Sequence, residues 1–97
     1  MCERHPPEYL STEAKKWWAE MGKRFELENV AEWELLTLAA TCLDRIDDAR
    51  KHIAENGVVK TSVGGSPKTN PACSVERDNK ILFCRILREL GIFNLEP

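Results

Sequence analysis

The chain lacks most of what catalysis requires. It has two histidines, His5 and His52. No Ser-His-Asp order, zincin motif, Walker box or carboxylate pair in a plausible cleft emerges. Gly64-Gly65 hints at a phosphate cradle, but no G-K-[ST] ending follows and no βαβ strand precedes it. His52 has no visible partner that would make it a base. The four cysteines, Cys2, Cys42, Cys73 and Cys84, form no C-x-x-C pair, and no signal-peptide apolar region is visible. Free thiols in a reducing cytoplasm are therefore expected, with three of them on helices as small hydrophobes. Cys2 and His5 have C-x-x-H spacing, but no second pair follows at finger spacing, so a loose terminus is expected and no metal or cofactor. No apolar run is long enough to span a membrane. A global basic field is also missing, since the net charge is −2.

What is present is helix-forming sequence of uneven charge. The length of 97 residues suits one small domain, with 1–10 as an extended lead and 11–97 as a single helical domain. Helical chains of this size often complete their core by self-association. Residues 1–56 hold eight Lys or Arg against twelve Asp or Glu, whereas residues 57–97 hold six against four. A polyanion contact is therefore expected in the second half.

The expected fold is mainly α, with three helices at about 12–25, 30–56 and 71–90. Pro6-Pro7 keeps the lead extended. Ser11 or Thr12 caps helix one, whose apolar face is Ala14, Trp17, Trp18, Met21 and Phe25. The two Trp read as core or subunit contact rather than as a platform for bases. Asn29 and Glu32 form a capping box for helix two, and Gly57 stops it. Helix two carries two seams. Leu35, Ala39, Cys42, Ile46, Ala49 and Ile53 make a heptad-like stripe, with Trp33, Leu36, Ala40 and Leu43 beside it. The charges on its other side read as a solvated face with helical ion pairs.

Residues 58–69 are rich in β-branched side chains around Gly64-Gly65-Ser66-Pro67, which predicts a short hairpin or an ordered loop. Asn70-Pro71 restarts the chain as helix three, which runs to Gly91. Val75, Leu82, Phe83, Ile86, Leu87 and Leu90 share one arc of its wheel. Arg77, Lys80, Arg85 and Arg88 lie almost opposite, over roughly 140° at about 100° per residue. That basic arc is either a solvated surface with ion pairs or a nucleic-acid face. The tail from Ile92, with Phe93 and Leu95, is expected to fold back onto helix three or a neighbouring subunit.

The order of these signals resembles the small subunit of phage terminase. The matching features are Asn56-Gly57 closing a long helix, a polar segment with Gly64 or Gly65, then Lys68, Asn70-Pro71-Ala72, and an amphipathic helix closing with Arg88-Glu89-Leu90-Gly91-Ile92. The Trp-containing first helix and long second helix suit the same layout. The resemblance implies a non-catalytic protein of tailed phages and prophages, acting in the cytoplasm of the bacterial host. It implies assembly into a homo-oligomeric ring that recognises viral DNA and presents it to the large terminase subunit for packaging. On that reading Lys60, Lys68, Arg77, Lys80, Arg85 and Arg88 are the DNA-facing candidates. Trp17, Trp18, Trp33, Leu35, Ala39, Cys42, Ile46, Ala49 and Ile53 are the candidates for subunit contact.

Two features depart from the usual pattern: no long basic tail follows the Glu-Leu-Gly helix, and the net charge is acidic. A ring compensates by repeating a weak basic patch once per subunit. The alternative, motivated by the acidic charge, is a helical protein–protein adaptor without DNA binding. A helix-turn-helix repressor is disfavoured, because residues 58–69 are too long for its tight turn.

Overall fold

The computed structural model describes residues 4–61, 64–65 and 67–92. The element order is α1 (Thr12–Arg24), α2 (Val30–Asn56), β1 (Val59–Thr61), β2 (Pro67–Thr69) and α3 (Pro71–Leu90). Both ends of α2 and α3, and the start of α1, have a visible chemical cause. Ser11 Oγ accepts from Ala14 N at 3.1 Å and starts α1. Asn29 and Glu32 form a complete capping box on α2, with Glu32 N donating to Asn29 Oδ1 at 2.9 Å. Gly57 ends α2 at φ +83°, a left-handed backbone that favours glycine. Asn70 caps α3 ahead of Pro71. At its other end Gly91 N donates to Arg88 O at 3.0 Å and Ile92 N to Leu87 O at 2.8 Å. This is the paired closure of a Schellman motif, and it turns Ile92 into the core at 1% exposure. The residues after Ile92 lie outside the described residues.

β1 and β2 form an antiparallel hairpin in which Val59 faces Thr69, Lys60 faces Lys68 and Thr61 faces Pro67. Its base is tied by Asn70 N donating to Val58 O at 2.7 Å.

α1 and α3 both pack on α2. One cluster joins Leu10, Ala14, Trp18, Met21, Leu27, Leu36, Ala40 and Ile92. A second joins Ala39, Cys42 and Ile86, with Trp17, Leu35, Phe83 and Leu90 around it. Trp17 bridges α1 to α3, its ring 5.6 Å from that of Phe83. The lead is pinned at Ser11, whose backbone N and Oγ donate to the Asp44 carboxylate at 2.8 and 2.5 Å. Among the described residues, no helix is long and apolar enough to cross a membrane.

Val75 and Leu82 depart from the expected core face of α3, being 42% and 44% exposed. α3 meets α2 through Phe83, Ile86 and Leu90. That contact centres the buried stripe to one side of the apolar arc and leaves Val75 and Leu82 at its edge.

Candidate nucleic-acid interface

The basic residues of the second half fall into two groups. In the hairpin, Lys60 and Lys68 are register partners. Lys68 is exposed, and the Lys60 side chain lies outside the described residues. On α3, Arg77, Lys80, Arg85 and Arg88 are all exposed. From Asn70 to Arg85 the helix climbs about 22 Å at 1.5 Å per residue. The fold therefore gathers Arg77, Lys80, Arg85 and Arg88 along one helix face and holds the hairpin at that helix's far end.

The α3 cations differ in what holds them. Arg77 Nε lies 3.3 Å from Asp78 Oδ1, and Lys80 Nζ lies 3.4 Å from Glu76 Oε2. Among the described residues, neither Arg85 nor Arg88 has an ion-pair partner. Glu76 is drawn toward α2 instead, where Arg50 Nε donates to its Oε2 at 2.8 Å. The Arg50 hydrogen bond is the main reason the Glu76 carboxyl sits below the usual carboxylate range; Lys80 adds to the effect and burial opposes it. A depressed folded value means that this pair stabilises the fold above the unfolded carboxyl's titration range. Its contribution is lost as pH falls through the folded value. In an Arg50→Ala variant the Glu76 carboxyl is expected to titrate at higher pH than in the parent, as read by carboxyl-resolved NMR. An unmoved titration would show that the Arg50 contact is not formed in solution.

Two residues of this face were not singled out by charge. Ile81 and Cys84 lie among the cations, and Lys80, Ile81, Cys84, Arg85 and Arg88 line one shallow depression. The signal was available in the period, because Ile81 falls outside the apolar arc of α3.

The residues expected at subunit contacts lie away from this basic face. Trp18, Ala39, Cys42, Ile46 and Ala49 are buried within the chain. Trp17, Trp33, Leu35 and Ile53 are half-buried. Leu35, Ala39 and Cys42 of the heptad-like stripe of α2 pack with Phe83, Ile86 and Leu90 of this chain's own α3. The physical reason is general: such a stripe asks for a helix beside it, and it does not say which chain supplies that helix. Burial also pushes the Cys42 thiol up, against a smaller opposing effect of Arg45, which makes it a packing group rather than a reactive one. What α2 and α3 leave open is a groove lined by Leu38, Thr41, Cys42, Arg45, Asn79 and Leu82.

Among the described residues, no cluster of His, Cys, Asp and Glu is disposed to hold a metal. Cys2 of the C-x-x-H pair lies outside the described residues. His52, without a partner in the sequence pattern, meets the Asn70 amide, with Nδ1 and Nδ2 3.1 Å apart. This contact ties helix to hairpin and does not activate a base.

The family model for phage terminase, small subunit, matches residues 14–92. The chain belongs to that family. No curated protein and no solved structure matches it. The matched span runs from α1 to the Ile92 closure, so it takes in all five elements of this terminase chain. It agrees with the likeness read from the sequence, which is carried mainly by the residues from Asn56 onward and also takes in the first two helices.

Proposed function

We propose that this small terminase chain is a non-catalytic DNA-recognition and adaptor subunit. It assembles as a homo-oligomeric ring in the bacterial host cytoplasm and delivers viral DNA to the large terminase subunit for packaging. The observation that carries this reading is the family match across the whole helical span. The exposed α3 cations support α3 as the DNA-facing element, with Lys68 and Lys60 of the hairpin as a second, separate contact. Leu38, Leu82 and Val75, 53%, 44% and 42% exposed, are the accessible apolar surface on the other flank of α3, and they are proposed as the subunit contact. Trp17, Leu35 and Ile53 are at most its edge, since they are already half-covered.

The test is binding of a duplex of about 30 base pairs, followed by fluorescence anisotropy as salt is raised. With about three phosphates neutralised per chain, affinity should fall about 40-fold between about 50 and 200 mM salt. Arg85→Glu combined with Arg88→Glu should weaken binding more than tenfold at fixed salt. Salt-independent binding, or full affinity in the charge-reversed protein, would favour an adaptor that does not touch DNA through α3. Assembly is read separately by light scattering, where Leu38→Glu with Leu82→Glu should shift the protein toward monomer. A parent protein that is monomeric at high concentration would refute the ring.

A further inference from the structure

α3 leaves one whole face uncovered. Arg77, Lys80, Ile81, Cys84, Arg85 and Arg88 recur at alternating steps of three and one, which is a single stripe on a helix. All six are exposed. The stripe is about 16 Å long at 1.5 Å per residue. On the helical wheel Lys80 and Arg85 stand at its two rims, with Ile81 and Cys84 between them. Ile81 is 54% exposed and belongs to neither core cluster. The nearby carboxylates stand outside the stripe on the helical wheel: Glu76 bonds Arg50 at 2.8 Å and also lies 3.4 Å from Lys80 Nζ, Asp78 lies 3.3 Å from Arg77, and Glu89 falls beyond the Arg85 rim.

A purely phosphate-directed surface has no use for an isoleucine in its middle. Phosphates reward charge, and an apolar side chain beside them gains nothing. The arrangement fits a helix lying in a groove. An α-helix with its side chains is about 10–12 Å across, and the major groove of B-form DNA is about 12 Å wide. In that pose the rim cations reach phosphates on both strands, and the central residues reach base edges. The apolar feature there is the C5-methyl of thymine. Resting on the reading of α3 as the DNA-facing element, we infer that this face enters the major groove of duplex DNA and that Ile81, beside Cys84, contacts the thymine methyl. Ile81 is then a specificity residue, while Lys80, Arg85 and Arg88 set affinity and orientation.

The experiment uses the full chain and two probes of about 24 base pairs. One is an alternating A–T duplex. The other is the same duplex with uracil in place of thymine, differing only by the C5-methyl. The parent should bind the thymine duplex about fourfold more tightly, the worth of one buried methyl. Ile81→Ala should keep the affinity for the uracil duplex and lose the preference. Because Ile81 is exposed, its removal should leave the helical circular dichroism unchanged. Equal parent affinity for the two duplexes, or a preference that survives Ile81→Ala, overturns the inference. If binding is still weakened more than tenfold by Arg85→Glu with Arg88→Glu in that case, the DNA-facing reading of α3 stands by itself. A parent that binds neither duplex removes that reading, and the inference with it.

Discussion

Gly22→Ala is expected to lower the thermal midpoint by about 8–16 °C, although it places the better helix former inside a helix. A Cβ at Gly22 would stand 2.3 and 2.5 Å from two carbons of the Trp33 ring, closer than real contacts allow. The ring has little room to yield. Its Nε1 donates to Leu27 O at 3.0 Å, and its face meets Trp18 with centroids 4.7 Å apart. Trp18 is held in turn by donation from its Nε1 to Thr37 Oγ1 at 3.0 Å. A shift of Trp33 therefore disturbs the whole α1–α2 seam. Overpacking of this kind costs about 3 kcal/mol, and the propensity gain of Ala over Gly returns about 1 kcal/mol, so the steric effect wins. The net loss of about 2 kcal/mol converts at roughly 4–8 °C per kcal/mol for a domain of this size. Gly64→Ala is the matched control, because a Cβ there meets nothing within 4 Å. Its midpoint should stay close to the parent's. An unchanged or raised midpoint for Gly22→Ala would mean that α1 is not seated on Trp33 as described.

Gly22 also marks where sequence reasoning stops. The ends of α2 and α3 were legible to the residue, and that of α1 to within one, because capping is local chemistry. Ser11, the Asn29–Glu32 box, Gly57, Asn70-Pro71 and Gly91 each act within a few residues of themselves. The hairpin was legible only as one of two alternatives, a short hairpin or an ordered loop, from β-branched residues around Gly64-Gly65. Long-range partners were not. Nothing in the spacing says that Gly22 must be small because Trp33 lies over it, or that His52 and Asn70 meet although they are 18 positions apart. The α2 seam shows the same limit. Its 3-4 period is a request for a helical neighbour, and over Leu35, Ala39 and Cys42 α3 of the same chain meets it. Of the candidate DNA residues, the common face of Lys80, Arg85 and Arg88 followed from the period, but their unequal pairing did not. The Arg50–Glu76 bond that draws a carboxylate off this face joins residues 26 apart.

Asn70→Ala is expected to destabilise the protein by about 2–3 kcal/mol, the loss of one N-cap plus unmet partners around a buried amide. Asn70 is the one polar residue buried in the core of the described chain, at 0% exposure. Its Oδ1 accepts from Ala72 N at 3.0 Å and caps α3. Its Nδ2 donates to Gly57 O at 2.8 Å and meets His52 Nδ1 at 3.1 Å. One side chain thus joins the end of α2, the base of the hairpin and the start of α3. Amide exchange should accelerate at Ala72 and across β1 and β2 well before the α1–α2 core opens.

Asn70→Asp separates the cap from the donor. The carboxylate still accepts from Ala72 N, and it sits favourably at a helix N-terminus. However, it turns an acceptor toward Gly57 O and His52 Nδ1. His52 can answer as the neutral tautomer with its proton on Nδ1, but the Gly57 carbonyl has no proton to offer and loses its donor. The Asn70→Asp protein should therefore keep the α3 cap and still be less stable than the parent by about 1–3 kcal/mol, as read by denaturant unfolding. Parental stability for Asn70→Asp would show that the Asn70–Gly57 bond does not form in solution.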